Sequence, residues 1–139
     1  LPERGSWLAP ERALCDSCPR RETRDPEARI DAVVMPHEIE ADPERCLLEQ
    51  GLLCCGPATR SGCGALCVQA NMPCTGCFGP PPGVRDQGAK MLSAVASLFT
   101  GTTAGHAEAL VEAVLDPAGT FYRYAVPSSP LGQKGGGSR

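Results

Sequence analysis

The residues best suited to chemistry are the nine cysteines, and their spacing is uneven. Cys15 and Cys18 form a C-x-x-C pair, a long gap leads to Cys46, and Cys54 and Cys55 stand side by side. Cys63, Cys67, Cys74 and Cys77 close the series, the last two again as C-x-x-C. That spacing is more typical of metal and redox sites than of structural bridges, and an odd cysteine count fits poorly with a complete disulfide framework. With Cys55 set aside, eight thiols remain, enough for two sets of four. Four thiolates satisfy tetrahedral zinc, and four also hold a 4Fe-4S cubane. The neighbouring residues favour iron–sulfur. Gly56, Gly62, Gly64, Gly76 and Gly79 allow close approach of backbone to a cluster, and Pro57 and Pro73 stiffen that approach. Leu14, Leu47, Leu53 and Phe78 would keep water from the ligands. Zinc and disulfide or mixed sets stay open as alternatives at this point.

Other chemistry is thinly supported. His37 and His106 have no partner spacing that suggests a joint site, so each reads as a surface or interface histidine. The acidic run "HEIEADPE" reads as a solvated face, and Glu49 and Gln50 as structural groups at a helix end. There is no P-loop, GxGxxG or Ser/His/Asp arrangement, so nothing points to nucleotide binding or to a catalytic residue. A net charge of −3 offers no basic footprint for nucleic acid. No apolar run approaches the length of a membrane span, and no signal peptide opens the sequence, so the expectation is a cytoplasmic protein with thiols held by a metal. The start at Leu1, without Met, reads as the interior of a longer protein.

The elements that must position these thiols are short. Sixteen glycines and fourteen prolines, with only 4% aromatic residues, predict a loop-rich fold with less apolar packing than 139 residues would allow. "CDSCPR" predicts a turn around a metal, and Pro36 and Pro43 forbid one long helix over residues 21–45. Cys46 to Gln50 reads as a short helix stopped by Gly51. After the stiff "FGPPPG", a helix is expected from Gln87 to Phe99, with Met91, Leu92, Val95, Leu98 and Phe99 on one face. A second is expected from Ala104 to Leu115, with Leu110, Val111 and Val114 inward. "DPAGTFYRYAVPSS" reads as a turn followed by a short strand or extended tail. The expected organisation is a cysteine region over 1–83, a helical segment and tail over 84–132 that packs on it or on a partner, and a flexible terminus over 133–139.

At "CDSCPR", "CLLEQGLLCCGPATRSGCGALC", "NMPCTGCFGPPPGVRDQGAKMLSAVASL" and "DPAGTFYRYAVPSS" the sequence resembles the small, electron-transferring subunit of NiFe hydrogenases. Within them it is similar to the cytoplasmic group that includes F420-non-reducing (methyl-viologen-reducing) and sulfhydrogenase-type enzymes. The resemblance runs from about Leu1 to Pro130 and covers only the C-terminal, loop-rich part of such subunits. The flavodoxin-like domain that holds the proximal cluster in the family is not matched.

The resemblance implies a mostly irregular fold with short helices, a small iron–sulfur domain built around two 4Fe-4S clusters. Cys15, Cys18, Cys46 and Cys54 would hold a distal-like cluster. Cys63, Cys67, Cys74 and Cys77 would hold a medial-like one. Cys55 stands where relatives usually carry an apolar residue, and reads as a small apolar filler. The implied role is a non-catalytic relay between a hydrogenase large subunit and an acceptor module, of heterodisulfide reductase or flavin–NAD(P) type. The rivals are an iron–sulfur relay in a complex without nickel and a zinc-stabilised interaction module.

Overall fold

The computed structural model describes residues 3–4, 9–99, 108 and 112–131. Its regular elements are few and short. Single 3-10 turns occupy Leu14–Ser17, Leu48–Gln50 and Gly56–Ala58, and α-helices occupy Leu66–Gln69, Gln87–Ala96 and Pro117–Phe121. Among the described residues no strand forms, only three isolated bridges: Ala13 with Arg60, Ile30 with Phe99 and Val34 with Leu52. The loop-rich class expected from glycine and proline content is the one found.

Local chemistry accounts for each stop and start. Gly51 ends the Leu48–Gln50 turn at φ 86°, the left-handed conformation in which glycine carries no Cβ penalty. A Cβ there would also lie 2.7 Å from the Ala32 carbonyl oxygen. The Gln87–Ala96 helix starts at Asp86, whose carboxylate accepts the Ala89 N–H at 2.8 Å. Its inward face is Gln87, Gly88, Met91 and Val95, at helical spacing.

Three expectations about this region are corrected. The helix ends at Ala96 rather than Phe99, because the Leu98 carbonyl accepts the Ile30 N–H at 2.9 Å and the chain turns to pair there. Leu92 is not on the packed face and is 41% exposed. The segment expected as a strand or extended tail is instead the Pro117–Phe121 helix, followed by turns. Asp116 caps it and Pro117 occupies its first turn, where a missing N–H costs nothing. Of the helix expected over Ala104–Leu115, most lies outside the described residues. Glu108, Glu112 and Ala113 are helical, Val114 is buried as expected, and Leu115 is exposed beyond the helical residues.

The core is one cluster running from Leu14 through Leu47, Leu52, Ala58 and Val68 to Met91, Val95 and Phe121. The Gln87–Ala96 helix packs on the Gly56–Ala58 turn and on the Pro117–Phe121 helix. Gly88 makes the second contact possible, since a Cβ there would overlap the Tyr122 ring. Asp86 fastens the same seam by accepting the Ser129 hydroxyl at 2.7 Å. No described helix is long and apolar enough to cross a membrane.

Candidate metal centre

The described thiols are all free, and eight of the nine gather around two cavities. Cys63, Cys67, Cys74 and Cys77 line a cavity of about 120 Å³, walled otherwise by apolar groups and by Thr59 and Thr75. Cys15, Cys18, Cys46 and Cys54 line a smaller one of about 30 Å³, together with Gly56, Pro57, Arg20 and Arg24. Leu14 and Val68 stand in both linings and so form a common wall. Among the described residues, no group of three His, Cys, Asp or Glu closes in tightly enough to hold a single ion, so the thiols rim these spaces rather than converge.

Cys15, Cys18, Cys46 and Cys54 come from distant parts of the chain, whereas Cys63, Cys67, Cys74 and Cys77 lie within one stretch over 63–77. The Leu14–Ser17 turn and the following loop present Cys15 and Cys18. The Leu14 N–H bonds the Thr59 carbonyl at 2.6 Å, and the Ser61 N–H bonds the Arg12 carbonyl at 2.8 Å, which lays this stretch beside the loop bearing Cys54. The Leu66–Gln69 helix carries Cys67 on its exposed side and Val68 on its buried side. Cys77 is exposed as well, whereas Cys54 and Cys74 are buried.

The donor set and its surroundings fit a thiolate-bound cluster. A Cβ at Gly56 would approach Cys15 Sγ to 3.0 Å and Cys54 Sγ to 3.7 Å, so glycine is what leaves room beside both sulfurs. Backbone N–H groups aim at sulfur. Cys74 donates to Cys54 Sγ at 3.3 Å, and Gly76 donates to Cys74 Sγ at 3.4 Å. The first of these joins the two sites directly. Burial pushes the Cys54 thiol up to about 12, against the pull of the Cys74 and Gly56 N–H groups. Burial and the neighbouring Cys54, Cys46 and Cys18 thiols push Cys15 up to about 12, with the Arg24 guanidinium pulling the other way. Burial also raises Cys74, opposed by the Gly76 N–H and the Thr59 hydroxyl. Such thiols keep their protons until a metal displaces them, so loading this site would release protons.

Cys55 is placed apart. It is buried and lines neither thiol cavity. It faces a third space of about 240 Å³ with Met72, Pro73 and Arg123, and its Sγ donates to the Thr120 carbonyl at 3.7 Å. Burial and the thiols of Cys74 and Cys54 push it up to about 12. Of the apolar neighbours expected to exclude water, Leu14 and Leu47 are buried and Phe78 is 36% exposed at the cavity edge. Leu53 faces the third space instead. His37 is exposed and lines none of these spaces, and His106 lies outside the described residues. Gln50 bonds the Asp42 backbone and the Arg45 and Cys46 carbonyls, a structural role as expected.

Several residues at the site gave no signal in the sequence. Arg20 is 5% exposed, and its guanidinium donates to the carbonyls of Asp42, Arg45 and Val68 and to Asn71 Oδ1. Thr59, 1% exposed, donates to the Cys55 carbonyl at 2.6 Å and lies 3.7 Å from Cys74 Sγ. Gln87 donates to Thr59 Oγ1 and to the Gly76 carbonyl. Isolated polar residues in loops carry no period that would mark them as buried.

A loop-built chain with thiols around two adjoining cavities defines a cysteine-rich domain suited to iron–sulfur binding. No family model matches the chain. Curated relatives do. It is 37% identical over 136 residues to an F420-non-reducing hydrogenase iron-sulfur subunit of Archaeoglobus profundus, covering 96% of this chain and 42% of that protein. It is 40% identical over 129 residues to an F420-non-reducing hydrogenase subunit of Methanothermobacter thermautotrophicus, covering 90% of this chain and 41% of that protein. With the subunit of the same name from Methanothermus fervidus the identity is 46% over 103 residues, covering 72% of this chain and 81% of that protein. The chain belongs to the family of these F420-non-reducing hydrogenase subunits. It spans about two fifths of the length of the first two relatives.

Proposed function

We propose that the chain is an electron-relay part of a hydrogenase, with Cys15, Cys18, Cys46 and Cys54 holding one 4Fe-4S cluster and Cys63, Cys67, Cys74 and Cys77 a second. The observation that carries this reading is the pair of thiol-lined cavities sharing Leu14 and Val68 as a wall and bridged by the Cys74 N–H on Cys54 Sγ. When bound, such clusters take up and release single electrons at potentials set by burial and by hydrogen bonds to sulfur. The residues of this chain hold the thiolates, exclude water with Leu14, Leu47 and Val68, and aim N–H groups at Cys54 and Cys74. No residue here is assigned a bond-making role. The proposed partners are a nickel–iron large subunit and an acceptor module of heterodisulfide reductase or flavin–NAD(P) type, in a cytoplasmic complex. Residues 1–83 would hold the clusters, and the helical segment over 84–132 would brace them.

Cys63→Ala and Cys74→Ser test the assignment. The unsubstituted chain, purified without oxygen, is expected to carry about eight irons and to give a paramagnetic signal after dithionite reduction. Either substitution is expected to remove about half of that iron and to lower solubility. Unchanged iron in both variants would make the ligand assignment wrong. A colourless chain with zinc and no signal would replace the relay with a zinc-stabilised module. Nickel analysis of the native complex separates a hydrogenase from a related assembly without nickel.

A further inference from the structure

The two thiol sites differ in charge. The cavity of Cys63, Cys67, Cys74 and Cys77 has no charged residue in its lining. The cavity of Cys15, Cys18, Cys46 and Cys54 has two, Arg20 and Arg24. Arg20 is buried, and all four of its hydrogen-bond acceptors are neutral: three carbonyls and the Asn71 amide. Among the described residues, no carboxylate lies within ion-pair distance of it. A guanidinium does not give up its proton, so its charge is fixed and sits in a poorly screened interior. Arg24 is half exposed and stands 3.9 Å from Glu49, which offsets part of its charge.

We infer that Arg20, assisted by Arg24, is a positioning residue that sets the cluster at Cys15, Cys18, Cys46 and Cys54 at the higher reduction potential of the two. This rests on the relay reading above. Reduction adds one negative charge to the site that gains the electron. A fixed cation in the wall favours that charge, and an uncharged wall does not. Backbone N–H groups aim at both sets, Cys74 on Cys54 and Gly76 on Cys74, so the arginines are what set the two sites apart. The slope for an electron then runs from the Cys63 set to the Cys15 set, and the return direction needs a low-potential donor at the Cys15 set. Arg20 also braces the wall between the sites, because it bonds the Val68 carbonyl, so its structural and electrostatic roles have to be separated.

The test is a redox titration of the full chain, purified without oxygen, followed by EPR and by iron content. The wave that Cys18→Ala removes belongs to the arginine-lined site. In iron-replete Arg20→Gln that wave is expected to move to lower potential by at least tenfold in the reduction equilibrium, about 59 mV for one electron. The other wave stays in place, and Arg20→Lys restores the first. Arg24→Gln moves the same wave the same way by less, and it decides the matter if the Arg20 variants fail to load iron. An unmoved wave in the iron-replete variants, or equal shifts of both waves, would overturn the inference and leave the relay standing. A single wave in a chain with about eight irons would overturn the inference alone, and a chain with neither iron nor a signal would overturn both.

Discussion

Neighbouring cysteines in one dipeptide end up in different surroundings, and the reason is visible atom by atom. Cys54 Sγ faces the arginine-lined cavity and accepts the Cys74 N–H. Cys55 uses its own N–H to bond the Cys74 carbonyl at 2.8 Å, and its Sγ turns toward Thr120. Both backbone contacts therefore reach the same residue, while the two cysteines line different cavities. Cys55 is a small, buried, apolar group in that position, as free buried thiols usually are. Cys55→Ala is expected to keep the full iron content and to cost at most about 1 kcal/mol of stability, the scale of one small buried group. Cys54→Ala is expected to remove about half of the iron. Iron analysis and chemical denaturation of both variants check this. The reverse result would move the ligand by one residue.

At the scale of elements, the helix over Gln87–Ala96 depends on one carboxylate. Asp86 accepts the Ala89 N–H, and the Ser129 and Tyr122 hydroxyls bond it from the C-terminal segment. Burial works to raise its pKa, but these hydrogen bonds outweigh burial and hold it below the ordinary 3.8. The unfolded chain therefore takes up the proton first as pH falls. Asp86 adds stability above about pH 4, and the gain is lost as pH drops through the lower folded value. Asp86→Ala is expected to cost about 1–2 kcal/mol at neutral pH, the scale of a lost helix cap. Asp86→Asn keeps a capping side chain and should show a flatter stability profile below pH 4, read by denaturation at a series of pH values. An identical acid profile in D86N would remove Asp86 as the cause. The same segment marks what was legible in the sequence. Met91 and Val95 announce the helix by their period, and Gly51 announces a stop. The Asp-Pro start at 116–117 also carried a helix signal, which the following β-formers Thr120, Phe121 and Tyr122 obscured. The thiols were legible because their spacing is discrete. Arg20, Thr59 and Gln87 were not, because single polar residues are buried by tertiary contacts that have no local pattern.

At the scale of the whole molecule, the fold lacks the usual means of standing alone. The longest described helix has ten residues, too few to be stable by itself, and among the described residues no sheet supplements it. Phe121 is the one buried aromatic among the described residues. Sixteen glycines raise the entropy that folding must overcome. One thiol set joins segments far apart in sequence, Cys15 and Cys18 with Cys46 and Cys54, and the other closes the shorter loop from Cys63 to Cys77 that carries Met72 and Pro73. A group that binds four thiolates at once closes those loops only in the folded state, so its binding energy is folding energy. The two sites also share Leu14, Val68 and the Cys54–Cys74 hydrogen bond, so loosening one loosens the wall of the other. Removal of iron by anaerobic chelation is therefore expected to abolish the cooperative thermal transition or to lower its midpoint by at least about 20 °C, taking about 5 kcal/mol lost at roughly 4 °C each. Cys18→Ala, which opens one set, is expected to lower the midpoint by less and to keep about half of the iron. Calorimetry and near-UV circular dichroism of the chelated chain read the outcome. An iron-free chain that unfolds at the same temperature with the same near-UV spectrum would mean that the apolar cluster from Leu14 to Phe121 carries the fold by itself.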